Sequence, residues 1–122
     1  MKKSILAVLT VFILGFISVM SIGAKMNSEV TEVRASHILV QTQQEAADLK
    51  TKIDNGEISF EDAAKKYSSC PSKARGGDLG YFGRRMMVKE FEDAAFDAPK
   101  GSVTEPVKTQ FGWHLIKVVD KK

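Results

Sequence analysis

The chain has 122 residues, with 18 Lys and Arg against 15 Asp and Glu and a formal net charge of +3. This length suits one compact domain with a tail, and 43% hydrophobic with 27% charged residues is typical of a globular protein. The two signs of charge are interleaved, without the basic stripe that nucleic-acid binding requires. The single cysteine excludes an intramolecular disulfide, and its distance in sequence from both histidines argues against a metal site.

An uncharged apolar run from Ile5 to Ile22 follows two lysines near the start of the chain. The run is long for the apolar part of a signal peptide and close to the minimum for a membrane-spanning helix, so both interpretations stay open. The lysines favour a cytoplasmic position for that end, with the rest exported. Residues 1–23 are therefore predicted to form a hydrophobic helix that is either a signal-anchor or a signal peptide cleaved before Ala24, and residues 24–33 a linker.

Residues 33–41, VRASHILVQ, are rich in β-forming residues and predict the first strand. Alternation along a strand places Ala35, His37 and Leu39 on one face. The opposite face would then consist of Ser36, Ile38 and Val40.

Two helices are predicted next, each from a signal at its N-terminus. Thr42 and Glu45 have the spacing of a capping box, and the helical pattern that follows ends at Gly56. Ser59 with Asp62 three residues later begins the second helix in the same way. The apolar face of the second helix would consist of Phe60, Ala63, Ala64 and Tyr67.

A proline and three glycines within residues 69–80 predict a long irregular loop with Cys70 at its start. The second glycine of ARGGDLG is expected to be harmless in such a loop. A short strand is predicted at residues 81–82 and a third helix over residues 88–96, with an inward face of Phe91, Ala94 and Ala95.

The C-terminal PVKTQFGWHLIKVVDKK predicts a hairpin, with one strand near residues 105–108, a turn through TQFG and a second strand over residues 113–119. His114 would share a face of that last strand with Ile116 and Val118. Helices between an early strand and a late hairpin predict an α+β fold, in which the helices cover an antiparallel-rich sheet.

The two histidines and the cysteine each leave alternatives open. Terminal strands often pair in the middle of a sheet, which would bring His37 beside His114, but two unrelated histidines bonded to local carbonyls fit the spacing as well. Cys70 fits either a nucleophile with a nearby base or a small buried hydrophobic residue. No local signature of a cysteine hydrolase is present.

Four segments occur in order, ASHILV, SSCPSKARGGDLGYFGRRMM, KEFEDAAF and EPVKTQFGWHLIKV, and together they resemble the parvulin-type peptidyl-prolyl cis/trans isomerases over residues 34–120. The resemblance implies that residues 34–122 form a domain with a four-stranded, mostly antiparallel sheet wrapped by about four helices. It also implies rotamase activity without a cofactor. The substrates would be unfolded or newly translocated proline-containing polypeptides, and we expect a monomer.

Carried over residue by residue, the resemblance implies a polar catalytic network beside an apolar pocket for the proline ring. The catalytic residues would be His37, Cys70, Thr109 and His114. The substrate-binding residues would be Leu79, Phe82, Met87 and Phe91. Some parvulins have aspartate at the position of Cys70, which argues against an obligatory nucleophile and favours a supporting role in the network.

Parvulins that act on phosphorylated substrates have an arginine-rich insertion soon after the first histidine. Here no basic residue occurs between His37 and Lys50, so we expect no preference for phosphoserine or phosphothreonine before proline. The alternative function is a parvulin-fold chaperone or peptide-binding module with little isomerase activity. In either case the domain is expected outside the cytoplasm, tethered to the membrane by its N-terminal helix or secreted after cleavage.

Overall fold

A computed structural model describes residues 29–122. The hydrophobic helix predicted over residues 1–23, and with it the choice between anchor and signal peptide, lies outside the described residues. Within the part of the chain that the structure describes, no helix is both long and apolar enough to cross a bilayer.

The described residues form four strands, three α-helices and one 3-10 helix. The strands are β1 (Val33–Val40), β2 (Asp78–Phe82), β3 (Val107–Thr109) and β4 (Gly112–Lys121), and the α-helices are α1 (Gln43–Asp54), α2 (Phe60–Tyr67) and α3 (Lys89–Asp97), with the 3-10 helix at Pro71–Arg75. The strand order is β2-β1-β4-β3, and each of these pairings is antiparallel. The predicted α+β fold with a four-stranded sheet is confirmed.

The first and last strands are the central pair of the sheet. In their register His37 lies opposite Ile116 and Leu39 lies opposite His114, so the two histidines share one face at diagonal positions. Long apolar stretches occur in both strands because both of their faces are covered by helices.

Residues 30–32, from the segment that was predicted to be a linker, pack on the folded unit. Val30 packs against the core, and the backbone N–H groups of Thr31 and Glu32 both donate to the Lys122 carbonyl at 2.8 Å. Residues 31 and 32 thus extend the pairing of β1 with β4 beyond the strand boundaries.

Capping residues fix the starts of α1 and α2, the two helices that cover one face of the sheet. Thr42 Oγ1 accepts from the Glu45 N–H at 3.1 Å and Glu45 Oε1 accepts from the Thr42 N–H at 3.2 Å, which confirms the capping box of α1. Ser59 Oγ accepts from the Asp62 N–H at 3.0 Å and caps α2.

Two hydrophobic clusters, one on each face of the sheet, form the core. The cluster under α1 and α2 contains Ile38, Val40, Ala46, Leu49, Phe60, Ala63, Ala64 and Leu115. The cluster under α3 contains Val33, Ala35, Phe82, Phe91, Ala95, Phe96, Ile116 and Val118. Side chains of β1 and β4 alternate between the two clusters, as the period of a strand requires.

Two predictions about local structure were wrong. Residues 69–80 are not irregular throughout, because Pro71 opens a 3-10 helix and β2 already begins at Asp78. Tyr67 does not complete the buried face of α2: it is the last residue of that helix and is 41% exposed. On α3 the predicted inward residues Phe91 and Ala95 are buried and Ala94 packs partly buried against the same cluster, and Phe96 is buried in addition.

Candidate active site

A cavity of about 370 Å³ opens beside the central strands. Its walls come from β1, the segment after α2, β2, the start of α3 and the β3–β4 turn. The lining residues are His37, Leu39, Ser69, Cys70, Pro71, Leu79, Met87, Val88, Phe91, Phe111 and His114. None of these lining residues, all within the described part of the chain, carries a carboxylate, an ammonium or a guanidinium group. The cavity is therefore suited to an uncharged, mostly apolar ligand.

His37 and His114 form a buried pair in the wall of this cavity. Their Nδ1 atoms lie 3.0 Å apart, and their rings stack at 18° with centroids separated by 5.2 Å. The Phe91 ring packs nearly perpendicular to both, with centroid distances of 5.5 Å to His37 and 5.2 Å to His114. Of the two arrangements that the sequence left open, the structure has the paired one.

Thr109 extends the histidine pair into a chain of hydrogen bonds. The Phe111 N–H donates to Thr109 Oγ1 at 3.1 Å, and Thr109 Oγ1 lies 2.8 Å from His114 Nε2. If the Thr109 hydroxyl donates to Nε2, then His114 has its proton on Nδ1 and donates it to His37 Nδ1. His37 then carries its proton on Nε2, a buried atom for which residues 29–122 provide no hydrogen-bond partner.

Burial determines the charge of the pair. It lowers the pKa of His114 to about 4, and together with a smaller effect of the positive charge on a protonated His114 it lowers the pKa of His37 to about 4. Both imidazoles are therefore neutral at pH 7 and above. A neutral pair can exchange hydrogen bonds without placing a charge beside the cavity.

The apolar part of the cavity consists of Leu79 from β2, Met87 from the segment before α3 and Phe91 from α3 itself. Met87 precedes the helix, which begins at Lys89, so its place beside Phe91 is set by the turn and not by helical spacing. Phe82, which was predicted among the substrate-binding residues beside the pocket, is not one of the lining residues of this cavity. Phe82 is 1% exposed and lies in the core, with its ring centroid 6.0 Å from that of Phe91.

Cys70 lines the cavity but belongs to a different set of hydrogen bonds. Its Sγ accepts from the Ser72 hydroxyl at 3.4 Å, and its N–H donates to Ser68 Oγ at 3.2 Å. Among the contacts of the described residues, no hydrogen bond joins Cys70 to either histidine. The structure therefore unites Thr109 with the histidine pair and leaves Cys70 at the edge of the cavity.

The second glycine of ARGGDLG, which was expected to be harmless in the loop, is required by the fold. Gly77 has φ of +86°, and a Cβ atom on it would lie 2.3 Å from the carbonyl oxygen of His37. The His37 N–H donates to the Gly77 carbonyl at 2.9 Å. Only a residue without a side chain lets the loop approach the strand this closely at the position of a cavity histidine.

Sequence reasoning missed five lining residues: Leu39, Ser69, Pro71, Val88 and Phe111. Alternation in the first strand already places Leu39 on the face of His37, so that signal was available. Phe111 lies in the two-residue turn between Thr109 and Gly112 and is 58% exposed. The sequence signal for Phe111 is a large aromatic residue in a short turn beside Thr109 and His114.

The family comparison covers most of the chain. Residues 26–120 match the sequence profile of the Rotamase family, described as the PPIC-type PPIase domain. The chain is also 54% identical over 92 residues to a foldase protein PrsA from Geobacillus sp. (strain WCH70), which covers 75% of this chain and 33% of that protein. It spans about a third of the length of the curated relatives it matches.

Two solved structures are similar to this chain in both fold and sequence. A crystal structure of the peptidylprolyl isomerase PrsA from Bacillus anthracis is similar with a TM-score of 0.74 and 46% identity, over 76% of this chain and 43% of that one. The solution structure of NmPin, the parvuline of Nitrosopumilus maritimus, has a TM-score of 0.69 and 42% identity, over 76% of this chain and 100% of that one.

Proposed function

Because the chain belongs to the PPIC-type peptidyl-prolyl isomerase, or parvulin, family, we propose that it catalyses cis/trans isomerisation of X–Pro peptide bonds in unfolded polypeptides outside the cytoplasm. The observation that carries this proposal is the neutral His37–His114 pair in the wall of an apolar cavity without charged lining residues. A proline ring is compact and apolar, and its peptide bond is uncharged, so both fit that cavity.

The cavity would hold the proline ring while the peptide bond rotates. Leu79, Met87 and Phe91 supply apolar surface for the ring. Rotation meets a barrier of about 18–20 kcal/mol because the planar amide is stabilised by resonance. No covalent bond has to break, so the enzyme needs only to favour the twisted state over the planar one.

The electrostatics of the cavity favour the twisted state. Resonance gives a planar amide a large dipole, and rotation removes the conjugation and part of that dipole. An apolar site that replaces water therefore stabilises the planar form less than the twisted form. Since His37 and His114 are neutral, they bring no charge that would stabilise the polar ground state. The bonds from Thr109 through His114 fix the tautomers and hold the rings in place.

The proposed substrates are unphosphorylated, proline-containing segments of unfolded or newly exported proteins. A doubly charged phosphate requires arginine or lysine partners, and none is among the lining residues of this cavity in the described chain. The relatives named foldase protein PrsA support a role in protein folding. We further propose that the domain acts as a monomer and reaches its substrates after export, tethered by or cleaved from the predicted N-terminal helix.

A protease-coupled assay with the full 122-residue chain tests the proposal. A peptide with a Phe-Pro bond should isomerise faster with added protein, in the presence of a metal chelator and without nucleotide. A phosphoserine-proline peptide should react no faster than its unphosphorylated counterpart. Absence of any acceleration would overturn the isomerase assignment and favour the peptide-binding module, whereas a strong preference for the phosphopeptide would overturn only the proposed substrate class.

A further inference from the structure

Residues 83–88 connect β2 to α3 and supply one wall of the cavity. Met87 and Val88 line the cavity, and Phe91 lines it from the first turn of α3. The shape of the cavity therefore depends on how this connecting turn is held against the start of the helix.

One carboxylate holds the turn at two points. Glu92 Oε1 accepts from the backbone N–H of Arg85 at 2.6 Å, and Glu92 Oε2 accepts from the Arg84 guanidinium at 3.2 Å. The Glu92 side chain is only 13% exposed, and the Arg84 guanidinium also lies 4.0 Å from the centroid of the Phe96 ring. The Arg85 N–H, followed by Arg84, lowers the pKa of Glu92, so the side chain is an anion at neutral pH.

The turn contains an unfavourable backbone conformation at the same place. Arg85 has φ of 71°, and it is the one non-glycine residue with positive φ in residues 29–122. A residue with a Cβ atom adopts this left-handed conformation at a cost, and keeps it only where its surroundings hold it. The N–H group bound by Glu92 belongs to this residue.

We propose that Glu92 is a positioning residue for isomerisation: it holds Arg85 in the left-handed conformation and thereby keeps Met87 in the wall of the proline cavity. The proposal rests on the isomerase function proposed above. Glu92 does not line the cavity, so its effect reaches the substrate through Met87. Without the carboxylate, Arg85 relaxes to a negative φ and the chain that follows it moves Met87 away from Phe91.

Four variants of the full chain separate this role from a general effect of charge. Glu92→Ala removes both acceptors, whereas Glu92→Gln keeps an oxygen for the Arg85 N–H but loses the charge that faces Arg84. Glu90→Ala is the matched control, because Glu90 is an exposed carboxylate of the same helical turn without a hydrogen-bond or ion-pair partner in the described structure. Arg85→Gly combined with Glu92→Ala tests the conformational step, since glycine adopts positive φ without help.

Two measurements are made on each variant. One is the steady-state rate on a Phe-Pro peptide, and the other is the NMR signal of the Met87 methyl group in protein labelled with 13C-methyl methionine, assigned through Met87→Leu. We expect Glu92→Ala to lower kcat/KM about tenfold, mainly through a higher KM, because Met87 contacts the ring in both planar and twisted states. Glu92→Gln should lose about threefold and Glu90→Ala less than about twofold.

The methyl signal should follow the rates. It should move in Glu92→Ala, stay in place in Glu90→Ala, and return towards its original position in the double variant, together with most of the activity. Equal rates and equal methyl signals in Glu92→Ala and Glu90→Ala would overturn the proposal, as would a double variant that regains neither.

If Glu92→Ala fails to fold, Glu92→Gln decides, because its neutral oxygen is a weaker acceptor for the Arg85 N–H than the carboxylate. A Met87 shift with a loss of rate that Glu90→Ala lacks supports the proposal, and a signal and a rate that both match Glu90→Ala overturn it. If the unmodified chain shows no isomerisation at all, the proposed function fails, while the methyl signal still decides whether Glu92 positions Met87.

Discussion

The two faces of the sheet share the strands β1 and β4 but bury different chemistry. Under α1 and α2, these strands contribute Ile38, Val40 and Leu115 to a closely packed apolar cluster. On the other face they contribute His37 and His114, beside a cavity that α3 leaves open. The first face can stabilise the fold by burial of apolar surface, whereas the second buries two imidazoles that lose their hydration.

This difference shows which features of the candidate active site lower the stability of the fold. The His37 Nε2 atom is buried without a partner in the described chain, Arg85 has a left-handed backbone, and Gly77 must pack directly against His37. All three features lie on or beside the cavity, and each has a cost that the apolar face does not bear. Mutations on the two faces should therefore have separable effects.

The largest effect is expected from a matched pair of phenylalanines, Phe60 at the start of α2 and Phe91 at the cavity, which are both 3% exposed. Each Phe→Ala change should lower the free energy of unfolding by about 3–5 kcal/mol, measured by urea denaturation. Only Phe91→Ala should also lower kcat/KM of the folded protein about tenfold or more, equivalent to about 1.4 kcal/mol of transition-state stabilisation. Equal rates for both variants would remove Phe91 from the site, and loss of peptide holding with unchanged isomerisation would favour the binding module.

The second prediction concerns pH, because only the cavity face contains buried histidines. Folding lowers the pKa of His37 and His114 from about 6.5 to about 4. Between these values the unfolded chain binds more protons than the folded protein, so stability should fall as the pH falls from about 6.5 to about 4. One unit of pKa separation corresponds to about 1.4 kcal/mol, so the total loss should be a few kcal/mol.

Urea denaturation at several pH values measures this slope, and the double variant His37→Leu with His114→Leu is the control. The chain has two histidines, so the variant should show a nearly flat profile between about pH 6.5 and about pH 5, with a remaining slope nearer pH 4 from carboxyl groups of lowered pKa such as Glu92. A wild-type profile that is equally flat would contradict neutral, strongly desolvated imidazoles.

The third prediction compares two glycines with positive φ, Gly77 just before β2 and Gly80 within that strand. Gly77→Ala and Gly80→Ala should each lose about 1–2 kcal/mol of unfolding free energy for the unfavourable φ. Gly77→Ala should lose more and also lower kcat/KM, because its Cβ would collide with the His37 carbonyl, whereas nothing lies within 4 Å of a Cβ on Gly80. Thermal melts and rate measurements on both variants check this, and identical behaviour would mean that the contact with His37 is unimportant.

The smallest effect is expected at Cys70. Because its sulfur accepts from Ser72 and is not bonded to the histidine pair, Cys70→Asp should keep kcat/KM within about threefold of wild type. Alkylation of the thiol should inhibit more strongly, since it fills the cavity that Cys70 lines. A covalent adduct with a peptide substrate, detected by mass spectrometry, or complete loss of activity in a stable Cys70→Asp variant, would restore the nucleophile interpretation.

Most of the secondary structure was predictable because its signals are local. The capping box of Thr42 with Glu45 and the cap of Ser59 with Asp62 fix the starts of two helices from residues three apart. Alternation in the strands also predicted that His114, Ile116 and Val118 share a face. The exposure of Tyr67 and the full burial of Phe82 were not predictable in the same way, because burial depends on the elements that cover a side chain and not on its own segment.

Most residues of the candidate site could be predicted, but the hydrogen bonds and contacts that join them could not. The resemblance to parvulins named both histidines, Thr109 and the Leu79, Met87 and Phe91 wall. It did not indicate that Cys70 would be hydrogen-bonded to Ser72 and not to the histidine pair, or that Gly77 would contact His37. Those facts depend on how closely segments of the folded chain approach one another in space.

The sequence by itself determined the helices, the strands and the face on which each strand residue lies, because caps, turns and alternation act over a few residues. Only the tertiary structure decided that residues 37 and 114 would meet at 3.0 Å and be desolvated together. It also decided that Glu92 would hold a strained turn against the cavity. Such contacts depend on the order of strands in the sheet and on which helix covers each face, and no local pattern encodes either.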